Sequence, residues 1–215
     1  MAHADTRKSN LMRPLNSKKC PLSLLCDSLL ESKGSAVGVA SLIKLRTAEL
    51  SDIPILEHWD KQDHVIAAGG DDDVWDWPEE VSRDVDWQEL LIAELDGRPV
   101  GMVQIIDPYH EASHYWGDCS ENLRAIDIWI GEASDLGHGY GTEMMRLALL
   151  RCIADKQVTA VLIDPLATNT DAIRFYERLG FQFVENRRFG DDDCCVYQIE
   201  RAQILSRFGE AGGGN

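Results

Sequence analysis

Residues 123–181 set an apolar run, a turn with three alternating glycines, a helix-forming segment, a β-branched run and a second helix in that order. The run is Leu123-Arg124-Ala125-Ile126-Asp127-Ile128-Trp129-Ile130, and the turn is Leu136-Gly137-His138-Gly139-Tyr140-Gly141-Thr142. A helix is expected over 142–154, and Val158 to Ile163 reads as a buried strand. Asn169 or Thr170 is placed to cap the next helix, and Gly180 to stop it. Strand, glycine turn, helix, strand, helix is an α/β order.

The glycine turn has the chemistry of an anion cradle. Gly137, Gly139 and Gly141 have no Cβ to keep main-chain N–H groups from converging. A helix starting there adds the positive end of its dipole, which suits a pyrophosphate. Taken alone, such a turn is equally compatible with a plain flexible helix start.

Around this core, Ile43 to Arg46 reads as a first strand. Ser51 and Pro54 mark a helix start, with Ile53, Leu56 and Trp59 at core spacing. Residues 67–78 read as an acidic, aromatic loop able to offer carboxylates and indoles to a cation, with a short helix over 79–85. Glu89 to Leu95 and Val100 to Ile106 form a hairpin across Asp96-Gly97. Phe181 to Phe189 and Cys194 to Ile199 form the last antiparallel pair. Residues 1–42 are read as a disordered extension, 43–202 as one domain and 203–215 as a flexible tail.

Charge excludes some partners. There are 37 Asp+Glu against 21 Lys+Arg, a net of −16. Residues 1–42 hold six basic and three acidic side chains, so the domain itself is more acidic than the whole. Such a body repels nucleic-acid phosphate and draws in cations. No apolar run is long enough to span a membrane. The six cysteines lack zinc-ligand spacing and a disulfide framework, so reduced thiols, a cytoplasmic location and no metal are expected.

The stretch 123–181 resembles the core of the GNAT acetyltransferase superfamily. Gly137-His138-Gly139-Tyr140-Gly141 stands where that family has its CoA turn, with Leu136 in place of the usual first residue. Asn169, Tyr176 and Leu179-Gly180-Phe181 match its second signature. The resemblance implies a mixed, mostly antiparallel sheet whose two central parallel strands splay apart. It implies acetyl-CoA held by backbone at Ile128, Trp129 and Ile130, by Gly137, His138, Gly139, Tyr140, Gly141 and Thr142, and by Asn169, Ala172 and Tyr176. Tyr176 would face the CoA sulfur.

Within the superfamily the text is most similar to aminoglycoside 6'-N-acetyltransferases, over roughly residues 43–202. That resemblance makes Asp127 the base or amine-binder and gives Asp164 and Asp192 other ammonium groups of the drug. Two departures stand out: Ala67-Ala68 replace tryptophan, and Ser113 replaces an acidic residue. Trp75, Trp77, Glu121 or Asp118 is expected to compensate, and Trp75, Trp116 and Glu121 are expected, with the three aspartates, to bind the substrate. The expected protein is a monomer or homodimer acting on a cationic small molecule. Its rivals are a GNAT enzyme for a polyamine, a hydroxylysine-type amine or a protein N-terminus, and a regulatory domain that only binds acetyl-CoA.

Overall fold

The computed structural model describes residues 43–69 and 75–209. The N-terminal extension read over 1–42, the Asp71-Asp72-Asp73 cluster and the last six residues lie outside that description. Seven strands form one sheet: β1 (Ile43–Thr47), β2 (Gln88–Leu95), β3 (Arg98–Ile106), β4 (Leu123–Ile130), β5 (Ala160–Ile163), β6 (Gln182–Phe189) and β7 (Asp192–Glu200). Their order is β1-β2-β3-β4-β5-β7-β6. Every neighbouring pair is antiparallel except β4 and β5.

That parallel pair parts early. Its ladder holds only Leu123↔Ala160, Arg124↔Val161 and Ala125↔Leu162. Beyond Ala125, β4 runs on for five residues on β3 alone, and β5 turns to β7 through Ile163↔Tyr197. A gap therefore opens in the middle of the sheet, as the resemblance implies.

Alternation along the strands divides the sheet into two faces. The back face presents Val103, Ile105, Ile126, Ile128, Ile130, Val161 and Ile163 to α4 (Tyr140–Cys152), α5 (Thr170–Leu179) and α6 (Arg201–Phe208), which carry Met144, Leu149, Phe175, Tyr176 and Ile204 into one buried cluster. The front face presents Ile92, Met102 and Trp129 to α1 (Ile53–Trp59) and α3 (Trp77–Ser82), with Leu56, Trp59 and Trp77 buried between them. A separate front cluster gathers Ile106, Ala125, Leu162, Trp116, Phe189 and Val196. Between the two lies a polar strip, Gln104 opposite Asp127.

Several element bounds differ from the sequence reading. The segment after 202 is not a loose tail at its start: α6 continues to Phe208, because Ile204 is fully buried under the back-face helices. Glu200 and Gln203 cap its first turn reciprocally. The loop read over 67–78 is shorter at both ends. α2 (Asp63–Gly69) carries through Ala67 and Ala68, and α3 begins at Trp77 with Asp76 accepting from the Glu79 N–H. α4 begins at Tyr140, two residues before the expected start. β5 begins at Ala160, because Val158 closes a turn onto Asp155.

Candidate active site

The glycine turn is built as a cradle. Gly137 and Gly139 have φ of 76° and 81°, the left-handed region that favours glycine, and a Cβ at either would meet nothing within 4 Å. Gly139 is the N-cap of the thirteen-residue α4, so the N–H groups of Tyr140, Gly141 and Thr142 open its N-terminus. His138 Nδ1 lies 2.9 Å from the Leu136 carbonyl, and its ring stacks on Tyr140 at 5.5 Å. The turn is tied to the sheet by Arg98, at the start of β3, which donates to both oxygens of the buried Asp135 at 2.7 and 3.0 Å. Open space, left-handed glycines and a helix N-terminus together fit a phosphate chain.

The gap is flanked by two carboxyl groups. Asp127 stands two residues beyond Ala125, the last paired residue of β4. Asp164 stands two residues beyond Leu162, its partner on β5. Strand alternation therefore turns both side chains to the front face, one from each side of the gap. Both are buried, at 4% and 5% exposure. A buried carboxylate costs several kcal/mol unless something uses it. The Tyr115 hydroxyl donates to Asp164 Oδ2 at 2.6 Å. Burial pushes the Asp164 carboxyl up to about 8 against the opposing pull of that hydrogen bond.

Asp192 opens β7, four residues of strand, about 13 Å, from Val196, which the register sets opposite Asp164. The segment after Asp164 pairs with β7 through Leu166↔Cys194, and the Ala167 N–H donates to the Asp193 carbonyl at 2.8 Å. Tyr115 stacks face to face on Phe189 at 4.4 Å, and the buried Trp116 meets the same ring edge-on at 5.4 Å. These rings line a cleft with Asp118, Arg187 and Arg188. Trp75 stacks on Trp77 at 5.0 Å and leans on Trp129 at 5.8 Å, forming the other wall of the front face.

Tyr176 is fully buried in the back-face cluster with Ile126, Ile128 and Ile130, its ring edge-on to Phe175 and Phe181. It therefore lies on the side of the gap opposite Asp127. Asn169 caps α5, accepting from the Ala172 N–H at 3.1 Å, and Ala172 itself is core.

Glu121 stands in the turn before β4. It is exposed and precedes Leu123, where the parallel strands begin, whereas the gap opens beyond Ala125. Asn122 beside it turns the chain at φ 64°, and four residues of strand, about 13 Å, then lead from Leu123 to Asp127. The acid that shapes the 107–122 loop is Glu111, which is 1% exposed and accepts from the N–H groups of Ser113 and Tyr115 at 2.8 and 3.0 Å.

Sequence reasoning also passes over Gln104. It is fully buried opposite Asp127, and neither its carboxamide oxygen nor its nitrogen meets a hydrogen-bond partner. It is the polar break in the run 100–106, as Asp127 is in 123–130, and that was the available signal. Among the described residues, no group of three His, Cys, Asp or Glu side chains is placed to hold a metal ion, and no helix is long and apolar enough to cross a membrane.

Comparison with known proteins gives the same family. The model of the acetyltransferase (GNAT) domain matches residues 49–189. Aminoglycoside N(6')-acetyltransferase type 1 of Klebsiella pneumoniae is 28% identical over 173 residues, covering 77% of this chain and 86% of that protein. A kanamycin resistance protein of Rhizobium radiobacter is 32% identical over 98 residues, 45% of this chain and 90% of that one. The crystal structure of aminoglycoside acetyltransferase AAC(6')-Ib with coenzyme A and kanamycin superposes with a TM-score of 0.69 at 27% identity, covering 77% of this chain and 98% of that one. With the family model spanning well over half its length and the splayed parallel pair in place, the chain belongs to the GNAT acetyltransferase family.

Proposed function

We propose that the protein transfers the acetyl group of acetyl-CoA directly to the 6'-amine of an aminoglycoside, and so confers resistance to such antibiotics. The observation that carries this reading is the pair of buried carboxyl groups, Asp127 and Asp164, set on opposite sides of the gap and facing the same front cleft. Polyammonium sugars reward that arrangement, since each charge-assisted hydrogen bond is worth about 1–3 kcal/mol. The likeness to 6'-acetyltransferases at 27–28% identity supports the acceptor class.

On this reading each residue has a task. The cradle at 137–142 binds the pyrophosphate of acetyl-CoA, and the gap edge of β4 at Ile128 to Ile130 receives its extended arm and polarises the thioester carbonyl. Asp127 draws the proton from the acceptor amine on the front face. Gln104, opposite it, orients the amine or a neighbouring hydroxyl with its buried carboxamide. Tyr176, behind the gap, supplies a proton or hydrogen bond to the departing sulfur. Asp164 and Asp192 hold further ammonium groups. An ammonium beside Asp164 favours its charged form and brings its carboxyl back down. Trp75 and Trp116 wall the acceptor cleft. The enzyme works in the cytoplasm as a monomer or homodimer.

Arg187 and Arg188 line the adjoining cleft with Tyr115, Trp116 and Phe189, and the charge of Arg187 pulls the Asp164 carboxyl down. They favour, as a second reading, an acceptor with fewer ammonium groups, such as a hydroxylysine-type amine. Incubation with acetyl-CoA and kanamycin, followed by locating the new acetyl group by NMR, decides between the two. Acetylation at the 6'-nitrogen supports the first reading, and an unmodified drug beside an acetylated small amine supports the second.

A further inference from the structure

The carbonyl of Ile130 points into the gap. The Gly131 N–H donates to the Val100 carbonyl at 2.9 Å, on the β3 side. Within one peptide unit of an extended strand, the C=O and the following N–H point to opposite sides. The Ile130 carbonyl is therefore turned toward the side that β5 has left, since the ladder to β5 ends at Ala125.

The group that meets this carbonyl is His64 Nε2, at 3.0 Å. A carbonyl oxygen only accepts, so Nε2 carries the proton in this contact. His64 is 5% exposed and belongs to the first turn of α2, a helix of the front side. Its neighbours fasten the same exit of β4. The Trp59 indole covers Gly131 so closely that a Cβ there would lie 2.0 Å from Cε2. Trp59 Nε1 donates to Glu132 at 3.2 Å, and His58 Nε2 lies 3.1 Å from the same carboxylate. Three successive residues, Ile130, Gly131 and Glu132, are thus each held by α1 or α2.

We propose that His64 is a positioning residue for the thioester substrate, fixing the peptide plane at the gap edge of β4 along which the extended arm of acetyl-CoA lies. The inference rests on the acetyl-CoA reading given above. The arm of CoA is an extended chain with two amides, and such a chain docks on a strand edge through main-chain hydrogen bonds whose directions the edge must fix. The acceptor carboxyl groups on Asp127 and Asp164 lie on the front face and do not depend on that peptide plane.

The test uses the full chain as wild type, His64→Ala and His64→Gln, which restores an N–H donor on a flexible arm. CoA binding is measured by calorimetry, and acceptor KM and Tm are recorded beside it. The expected result is CoA binding weakened about tenfold in His64→Ala, as for one lost hydrogen bond. His64→Gln recovers to within about threefold of wild type, and acceptor KM moves less than about twofold. Should His64→Ala fail to fold, His64→Phe keeps a ring and drops the donor. Wild-type CoA binding in the donor-free variant overturns the proposal, as does a His64→Gln variant no better than His64→Ala. A wild-type protein that binds no CoA overturns the acetyl-CoA reading itself.

Discussion

Asp164→Asn should change how the stability of this protein depends on pH. The carboxyl is buried, and its value stands at about 8 in the fold against 3.8 in a free chain. Between those values the folded state keeps a proton that the unfolded state has released. Stability therefore falls as pH rises through this window, with a limiting slope of about 1.4 kcal/mol per pH unit. From pH 5 to pH 8 that amounts to about 4 kcal/mol as a ceiling, reduced by any relaxation that lets water reach the ionised form. Asparagine is nearly isosteric and still accepts from the Tyr115 hydroxyl, but it has no proton to lose. Urea denaturation of both proteins at pH 5, 6, 7 and 8 should show the variant gaining on wild type at each step, by about 2 kcal/mol or more in total. A difference that stays constant across the four pH values would falsify the reasoning, since the burial of Asp164 would then not hold its proton in the fold.

Other substitutions probe the rest of the site. Asp127→Asn should lower kcat by about 10²–10³-fold while CoA affinity measured by calorimetry stays unchanged. Tyr176→Phe, which keeps the buried ring, should lower kcat by about tenfold with Tm within a degree or two, and an unaltered kcat would remove Tyr176 from the chemistry. Gly131→Ala should force the Trp59 indole from its seat and cost about 2 kcal/mol, seen as a fall in Tm of about 4–8 °C by thermal denaturation. A Tm equal to wild type would mean that α1 shifts freely over the end of β4.

Much of this architecture is legible in the residues. The glycine turn, the capped helix at Asn169 and the apolar runs on either side carry their own local physics, and each element forms within a few residues of where its pattern places it. The boundaries that moved did so for tertiary reasons. Ile204 extends the C-terminal helix because the back-face helices cover it, and no periodicity in so short a segment announces that. The site is less legible than the fold. Asp127 is visible as the acid inside the apolar run 123–130, and Asp164 as the acid that ends the run 158–163. Gln104 gains its meaning only when the β3–β4 register sets it opposite Asp127. His64 depends on which carbonyl lacks a ladder partner, which is a property of where β5 turns away. Glu121 is near Asp127 in the chain, yet it precedes β4, and the gap opens only beyond Ala125.

The most direct measurement is free-thiol release from acetyl-CoA by the purified protein with two matched drugs, one bearing a 6'-amine and the other a 6'-hydroxyl. The account predicts saturable release with the amine, none above background with the hydroxyl, and loss of the signal in Asp127→Asn. Equal release with both drugs, or release only with spermidine, hydroxylysine or a basic peptide, would contradict the assignment of the front cleft to a 6'-amine.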